Sequence, residues 1–191
     1  MNKSIPDLIQ ASIEVKQAIL QNQALLSCVE QIVHVVSQAF KTNHKVSFCG
    51  NGGSAADAQH LSAEFSGRFY KNRKALPSDA LHCNSSYLTA VANDYSYDEI
   101  YARLVEGTMD KGDVLIGLST SGNSPNIVKA FKMARSKEII TVGFTGSTGG
   151  KLKTLSDYLL NVPSEITPRI QESHILLGHI ICELVEADIF N

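Results

Sequence analysis

From Pro6 to Lys41 the apolar residues recur every three or four positions: Leu8, Ile9, Ile13, Val15, Ile19 and Leu20, then Leu25, Leu26, Val29, Ile32, Val33, Val36 and Phe40. This is the period of a helix face, interrupted near Gln21 to Gln23, so two helices are predicted. The period then changes. Short apolar runs at Val46–Cys49, Asp79–Cys83, Val114–Leu118, Ile139–Phe144 and Tyr158–Val162 have the length and continuity of strands buried on both faces. Helical patterns lie between them, at Ala55–Ser66, Ser86–Asn93, Asp98–Met109 and Pro125–Ser136, with a short one around Lys151–Leu155. Strand and helix alternate, which predicts a parallel sheet.

A last long helix is expected from Pro168, a first-turn proline, to Ile189. Its apolar residues Ile175, Leu176, Leu177, Ile180, Ile181, Leu184 and Val185 exceed one narrow stripe, so it should be covered on more than one side, as by another subunit. No repeat or linker interrupts the chain. The expected architecture is α/β: a flavodoxin-like three-layer α/β/α sandwich around a five-stranded parallel sheet. One domain should span residues 1–191, with residues 1–42 as extra N-terminal helices packed on the core and on neighbouring subunits.

Composition changes little in this picture. With 191 residues, 43% of them hydrophobic, the chain can bury one substantial core. A net charge of −2, with basic residues scattered except at Lys71, Arg73 and Lys74, gives no footprint for nucleic acid or an anionic membrane, so a small-molecule partner is expected. Cys28, Cys49, Cys83 and Cys182 form no CxxC pair and read as reduced, buried and structural. The N-terminus, Met-Asn-Lys-Ser-Ile-Pro-Asp, lacks a charged lead into an apolar segment, and no later stretch reads as a membrane span, so a cytoplasmic location is expected.

Two strand-to-helix turns carry the candidate chemistry. In open parallel sheets ligands bind beyond the carboxyl ends of the strands, where helix N-termini present free N–H groups. The first turn is Gly50-Asn51-Gly52-Gly53-Ser54, with Ser54 expected to cap the helix from Ala55. The second is Ser119-Thr120-Ser121-Gly122-Asn123-Ser124, followed by Pro125. Its hydroxyls and amides can satisfy a phosphate without a lysine. Neither turn fits the dinucleotide fingerprint or a Walker sequence.

Together with their surroundings, these loops resemble the sugar isomerase (SIS) domain family, in which a Ser-Thr-Ser-Gly-Asn-Ser type loop binds the phosphate of a phosphosugar. Gly50 through His60, Ala90-Val91-Ala92-Asn93-Asp94, and Arg169-Ile170-Gln171-Glu172 through His179 extend the resemblance over the whole chain, to the phosphoheptose isomerases within that family. The resemblance implies conversion of D-sedoheptulose 7-phosphate to D-glycero-D-manno-heptose 7-phosphate, on the way to the ADP-heptose of bacterial lipopolysaccharide. It also implies a homotetramer, and substrate contacts from Asn51, Gly52, Gly53, Ser54, Glu64, Asn93, Asp94, Ser119, Thr120, Ser121, Ser124 and Gln171. Residues matching His60, Glu64, Gln171 and His179 are zinc ligands in the family, which implies one zinc per subunit.

Read as residues, His60 and Glu64 are four apart and project from one helix face. Aldose–ketose isomerisation through an enediol needs one group to move a proton between carbons and another to move protons on oxygens. Glu64 is assigned the carbon and His179 the oxygens. On residues alone His179 reads as a core histidine; the resemblance reverses that order. His34, His44, His82 and His174 read as structural. Gln171 and His179 differ by about 12 Å in height and roughly 80° in direction on a straight helix. Either Gln171 precedes the regular helix, or, as favoured here, the site joins residues of different subunits. Two alternatives share the fold: a catalytically silent protein that binds a replication initiator, disfavoured by the presence of both Glu64 and His179, and an isomerase of another phosphosugar.

Overall fold

A computed structural model describes residues 4–190; Met1–Lys3, part of the segment read as lacking a signal lead, and Asn191 lie outside the described residues. The expected sheet is present. Strands β1 (Val46–Gly50), β2 (Ser78–Ala80), β3 (Val114–Leu118), β4 (Ile140–Thr145) and β5 (Tyr158–Asn161) pair in the order β2-β1-β3-β4-β5, all parallel. The order reverses between β1 and β3, so the turns leaving those two strands flank the switch-point crevice.

The N-terminal pair forms α1 (Ile5–Gln21) and α2 (Gln23–Lys41), broken at Asn22, whose side chain accepts from the Leu25 amide and so starts the second helix. Ser4 and Asp7 close a capping box at the start of α1. The remaining helices are α3 (Gly53–Ser66), α4 (Ser85–Asp94), α5 (Ile100–Thr108), α6 (Pro125–Ser136) and α7 (Thr167–Ile189), with single 3₁₀ turns at Tyr97–Glu99 and Gly150–Thr154.

Because successive strand side chains alternate sides, the strands feed two cores. Val114, Ile116 and Leu118 join residues of α2, α3 and α7, whereas Leu115 joins α5 and α6. Burial ranks the two N-terminal helices differently. α2 buries Leu25, Val29, Ile32, Val36 and Phe40, each contributing about 2 kcal/mol. α1 buries Ile19 alone and leaves Ile5, Leu8, Ile9 and Ile13 exposed. The first is part of the core, and the second joins it only near its C-terminal end, through Ile19 and Val15.

Three local expectations need correction. The second strand ends at Ala80 rather than Cys83, because the chain turns at Leu81–His82. That turn leaves Cys83 exposed; Cys28, on α2, is half-buried, so only Cys49 and Cys182 are buried thiols. Ser54 does not cap α3. The helix begins at Gly53, two residues before the expected Ala55, Gly52 occupies the cap, and Ser54 is buried in the first turn.

Candidate active site

The β1–α3 turn is fixed by side-chain amides. Asn51 and Asn126 exchange two hydrogen bonds, Nδ2 to Oδ1 at 2.9 Å and 2.8 Å, and the Tyr97 hydroxyl donates to Asn51 Oδ1 at 3.1 Å. Asn126, buried at the start of α6, also accepts from the Ile127 amide. The pair ties the first turn to the helix that follows the second. Most of the Asn51 side chain is thereby used within the protein, leaving one amide hydrogen for a ligand. Tyr101 donates to the Gly50 carbonyl at 2.5 Å from the opposite side. Asn93 and Asp94 end α4, exposed and bonded to each other at 3.0 Å, a few residues before Tyr97.

In the second turn Ser119 is buried, and its hydroxyl lies 2.9 Å from that of Ser124. The Gly122 amide is spent on the Ser119 carbonyl, and the Asn123 side chain binds the Ser121 carbonyl and the Lys151 amide. Among the described residues the amides of Thr120, Ser121 and Ser124 have no partner. With the positive end of α6 behind them, they form an anion cradle of N–H and O–H groups. A cleft of about 300 Å³ opens beside it, lined by Thr120, Ser121, Ser147, Thr148, Glu165 and Thr167 among others.

Glu64 and His179 meet on the next layer. Helices α3 and α7 run side by side, and at Gly178 a side chain's first carbon would come within 2.5 Å of Leu61. The missing carbon lets the two helices approach, which sets the neighbouring His179 against His60. Their Nε2 atoms are 2.9 Å apart, and His60 Nε2 lies 3.3 Å from Glu64 Oε1. One donor atom from each of the three residues falls within 4.8 Å of the others. This nitrogen, nitrogen, oxygen set fits a zinc ion, which takes such donors at about 2.0–2.2 Å. Phe69 packs its ring 5.9 Å from that of His179. Asp57, one helical turn before His60, shares this environment. Burial raises its carboxyl, and His60 and His179 oppose the rise.

Gln171 is elsewhere. It sits inside the regular α7, so an irregular start to that helix does not explain its reach. Its amide lies over Gly53, where an added side-chain carbon would come within 2.7 Å of Nε2. Within one chain Gln171 therefore belongs to the first turn, while His60, Glu64 and His179 gather further along the same two helices. The cleft beside Thr120 contains none of these three residues. The Ser119–Ser124 turn and the His60–Glu64–His179 cluster are separate within a single chain.

Sequence reading missed Asn126, Tyr97, Phe69 and Asp57. Asp57 could have been found from its spacing three residues before His60; the others depend on contacts between distant segments. His174 is a core residue, as expected. It is fully buried against Phe144, with Nε2 3.1 Å from the Thr145 carbonyl, so Nε2 carries the proton and donates. Burial lowers its pKa to about 4, with the Thr145 bond opposing. The unfolded chain then binds this proton from about pH 6.5 downwards, and the folded chain only near pH 4. Stability should be intact above pH 6.5 and fall by about 3 kcal/mol as pH drops to 4. Denaturant unfolding across that range measures it, and His174→Asn, a neutral donor, should flatten the curve.

The parallel sheet, with an anion cradle at its switch point and a His–Glu–His cluster on the flanking helices, defines a phosphosugar-isomerase class of α/β domain. The SIS domain family profile matches residues 9–146. The chain is 52% identical to the phosphoheptose isomerase of Aneurinibacillus thermoaerophilus, covering 100% of this chain and 96% of the relative. It is also 52% identical to that of Clostridium acetobutylicum, covering 100% and 97%. The solved phosphoheptose isomerase of Neisseria gonorrhoeae superposes with a TM-score of 0.90 at 39% identity, over 96% of this chain and 97% of that one. That of Francisella tularensis gives 0.92 at 31%, over 96% of each chain. The chain belongs to the SIS domain family and, within it, to the phosphoheptose isomerases.

Proposed function

We propose that this protein interconverts D-sedoheptulose 7-phosphate and D-glycero-D-manno-heptose 7-phosphate, the step that leads towards ADP-heptose and lipopolysaccharide. The observation that carries the reading is the meeting of Glu64 with the His60–His179 pair on helices α3 and α7, in a domain that also carries the Ser119–Ser124 cradle. The cradle holds the phosphate through hydroxyls and amides. The first turn, with Gly52, Gly53, Ser54 and Gln171, and the α4 end, with Asn93 and Asp94, bind the polyol. Glu64 takes the proton from one carbon and returns it to its neighbour, and His179 moves the proton between the two oxygens.

Zinc is the proposed cofactor, held by His60, Glu64 and His179; when bound, it would polarise the carbonyl and the adjacent hydroxyl. A ligand role for Gln171 needs the Gln171 of a neighbouring subunit. Two exposed stripes support assembly into a homotetramer: Ile5, Ile9 and Ile13 on α1, and Leu176, Ile180 and Leu184 on α7, each repeating every four residues. A cytoplasmic location agrees with the reading; among the described residues no helix is long and apolar enough to cross a membrane.

The test is conversion of sedoheptulose 7-phosphate by the purified protein, with and without added zinc, alongside light scattering for mass. Turnover by a tetramer is expected. Inactivity in both conditions, with specific capture of a replication initiator, would turn the reading towards the silent binding protein.

A further inference from the structure

A second buried charge cluster, outside the site just described, grips both helices that build it. Glu186 lies on α7 seven residues after His179, two turns along and on nearly the same face. Its carboxylate is filled by four donors. Oε1 accepts from the Phe69 amide at 3.0 Å and Arg73 Nε at 2.8 Å, and Oε2 from the amides of Tyr70 at 2.7 Å and Lys71 at 2.8 Å. Arg73 then spends its remaining nitrogens on the end of α3. Nη2 donates to the Glu64 carbonyl at 2.8 Å, and Nη1 donates to the carbonyls of Phe65 at 2.8 Å, Gly67 at 3.2 Å and Lys74 at 3.1 Å. Both side chains are about 3% exposed or less.

The cluster reaches both helices of the His60–Glu64–His179 site and the residue whose ring packs beside it. It holds α3 at the carbonyl of Glu64 itself, α7 two turns from His179, and the amide of Phe69, whose ring packs on the His179 ring. The close approach of Gly178 to Leu61 fixes the two helices at one point. The Arg73–Glu186 pair fixes them at a second, and two points set both the separation and the rotation of His179 relative to Glu64. Any buried ion pair needs its remaining donors and acceptors filled; what sets this one apart is where they go, to the carbonyl of Glu64 and the amide of Phe69.

We infer that Arg73 and Glu186 are positioning residues for the isomerase site, holding Glu64, His179 and the Phe69 ring in the geometry that proton transfer and metal binding require. The inference rests on the proposed reading of that site. Partners around a metal site that orient its ligands typically influence affinity by 10- to 100-fold, and misplacement of a reacting group acts on kcat rather than on binding.

Two variants test it: Glu186→Asp, which keeps the charge but is one methylene too short to fill all four contacts, and Phe69→Leu, which removes the ring and leaves the ion pair alone. Each is measured for kcat and KM with sedoheptulose 7-phosphate and for zinc affinity by competition with a chromophoric chelator. Circular dichroism checks folding at the assay temperature. A fall in kcat of about tenfold, zinc binding weakened about tenfold and KM within about twofold are expected for both. Unchanged kcat and zinc affinity in folded protein, or a change confined to KM, would overturn the inference. If Glu186→Asp does not fold, Arg73→Lys, which keeps the charge but loses the fork that holds the Glu64 and Phe65 carbonyls, decides by the same criteria. A wild-type protein that binds zinc without isomerising would count against the proposed function instead, and the zinc affinities would still decide the positioning role.

Discussion

Glu64→Gln and His179→Gln should each lower kcat for sedoheptulose 7-phosphate by about 10³-fold, the scale on which a positioned acid or base contributes. Each change keeps the side-chain size close to native while removing the group that accepts or relays a proton. The cradle at Ser119–Ser124 lies on a different turn and shares no hydrogen bond with either residue. Affinity for the phosphosugar, measured by calorimetry on the inactive variants, should therefore stay within a few-fold of wild type. On the proposed reading both proton transfers pass through the same enediol and both side chains hold the same zinc, so their effects should not multiply. The double variant is expected near the activity of the single ones. A double variant about 10³-fold worse again would show that the two act in separate steps. His60→Gln separates the relay from the metal. Loss of zinc and activity together would assign His60 to the ion, and retained activity would leave Glu64 and His179 working without it.

The fold was legible because its signals are local and repeated. Two helical periods with a break at Asn22, five apolar runs of strand length and Pro125 at the start of α6 each depend on a few neighbouring residues. The errors fall where the backbone turns for reasons that lie elsewhere in the chain. Ser54 has the chemistry of a cap, yet the turn places Gly52 at the cap and draws Ser54 into the helix. Leu81 and Cys83 extend an apolar run, but the chain turns once Leu81 has donated to the Phe48 carbonyl, and the Cys83 amide folds back onto Ala80. For the site, His60 and Glu64 were legible as a spaced pair on one helix. Their meeting with His179 was legible only through family resemblance, because it depends on Gly178 letting α7 close on α3. Asn126 carries no local signal and Arg73 only that of a small basic cluster with Lys71 and Lys74; both become buried polar anchors when distant chain segments meet around them.

Breaking the Arg73–Glu186 pair should be the most costly single change to stability. Arg73→Met leaves the Glu186 carboxylate buried without its cation, and losing one partner of such a pair costs about 3–5 kcal/mol. Near the melting point of a chain this size, that is roughly a 10 °C drop in Tm. The usual remedy, replacing both charges with apolar residues, should fail here. In many proteins such a double replacement is neutral or stabilising because the two ions mainly satisfied each other. Here the carboxylate also satisfies the amides of Phe69, Tyr70 and Lys71, and the guanidinium satisfies four carbonyls around the end of α3. Arg73→Met with Glu186→Met removes that partner from each of these backbone groups, at about 1–3 kcal/mol for those shut off from water, although the Phe65 carbonyl keeps the Leu76 amide. The double variant should melt no higher than Arg73→Met alone, and recovery to the wild-type Tm would show that the pair is an isolated ion pair. Acid gives an independent reading. Burial by itself would raise the Glu186 carboxyl, but the three amides and Arg73 outweigh it and bring the pKa down to about 2. The folded state therefore gains from this group above the ordinary carboxylate range, near pH 4.5, and loses that gain as pH falls from there through about 2. The loss amounts to about 3 kcal/mol, follows the one from His174 at higher pH, and should be absent from the unfolding curve of the double variant.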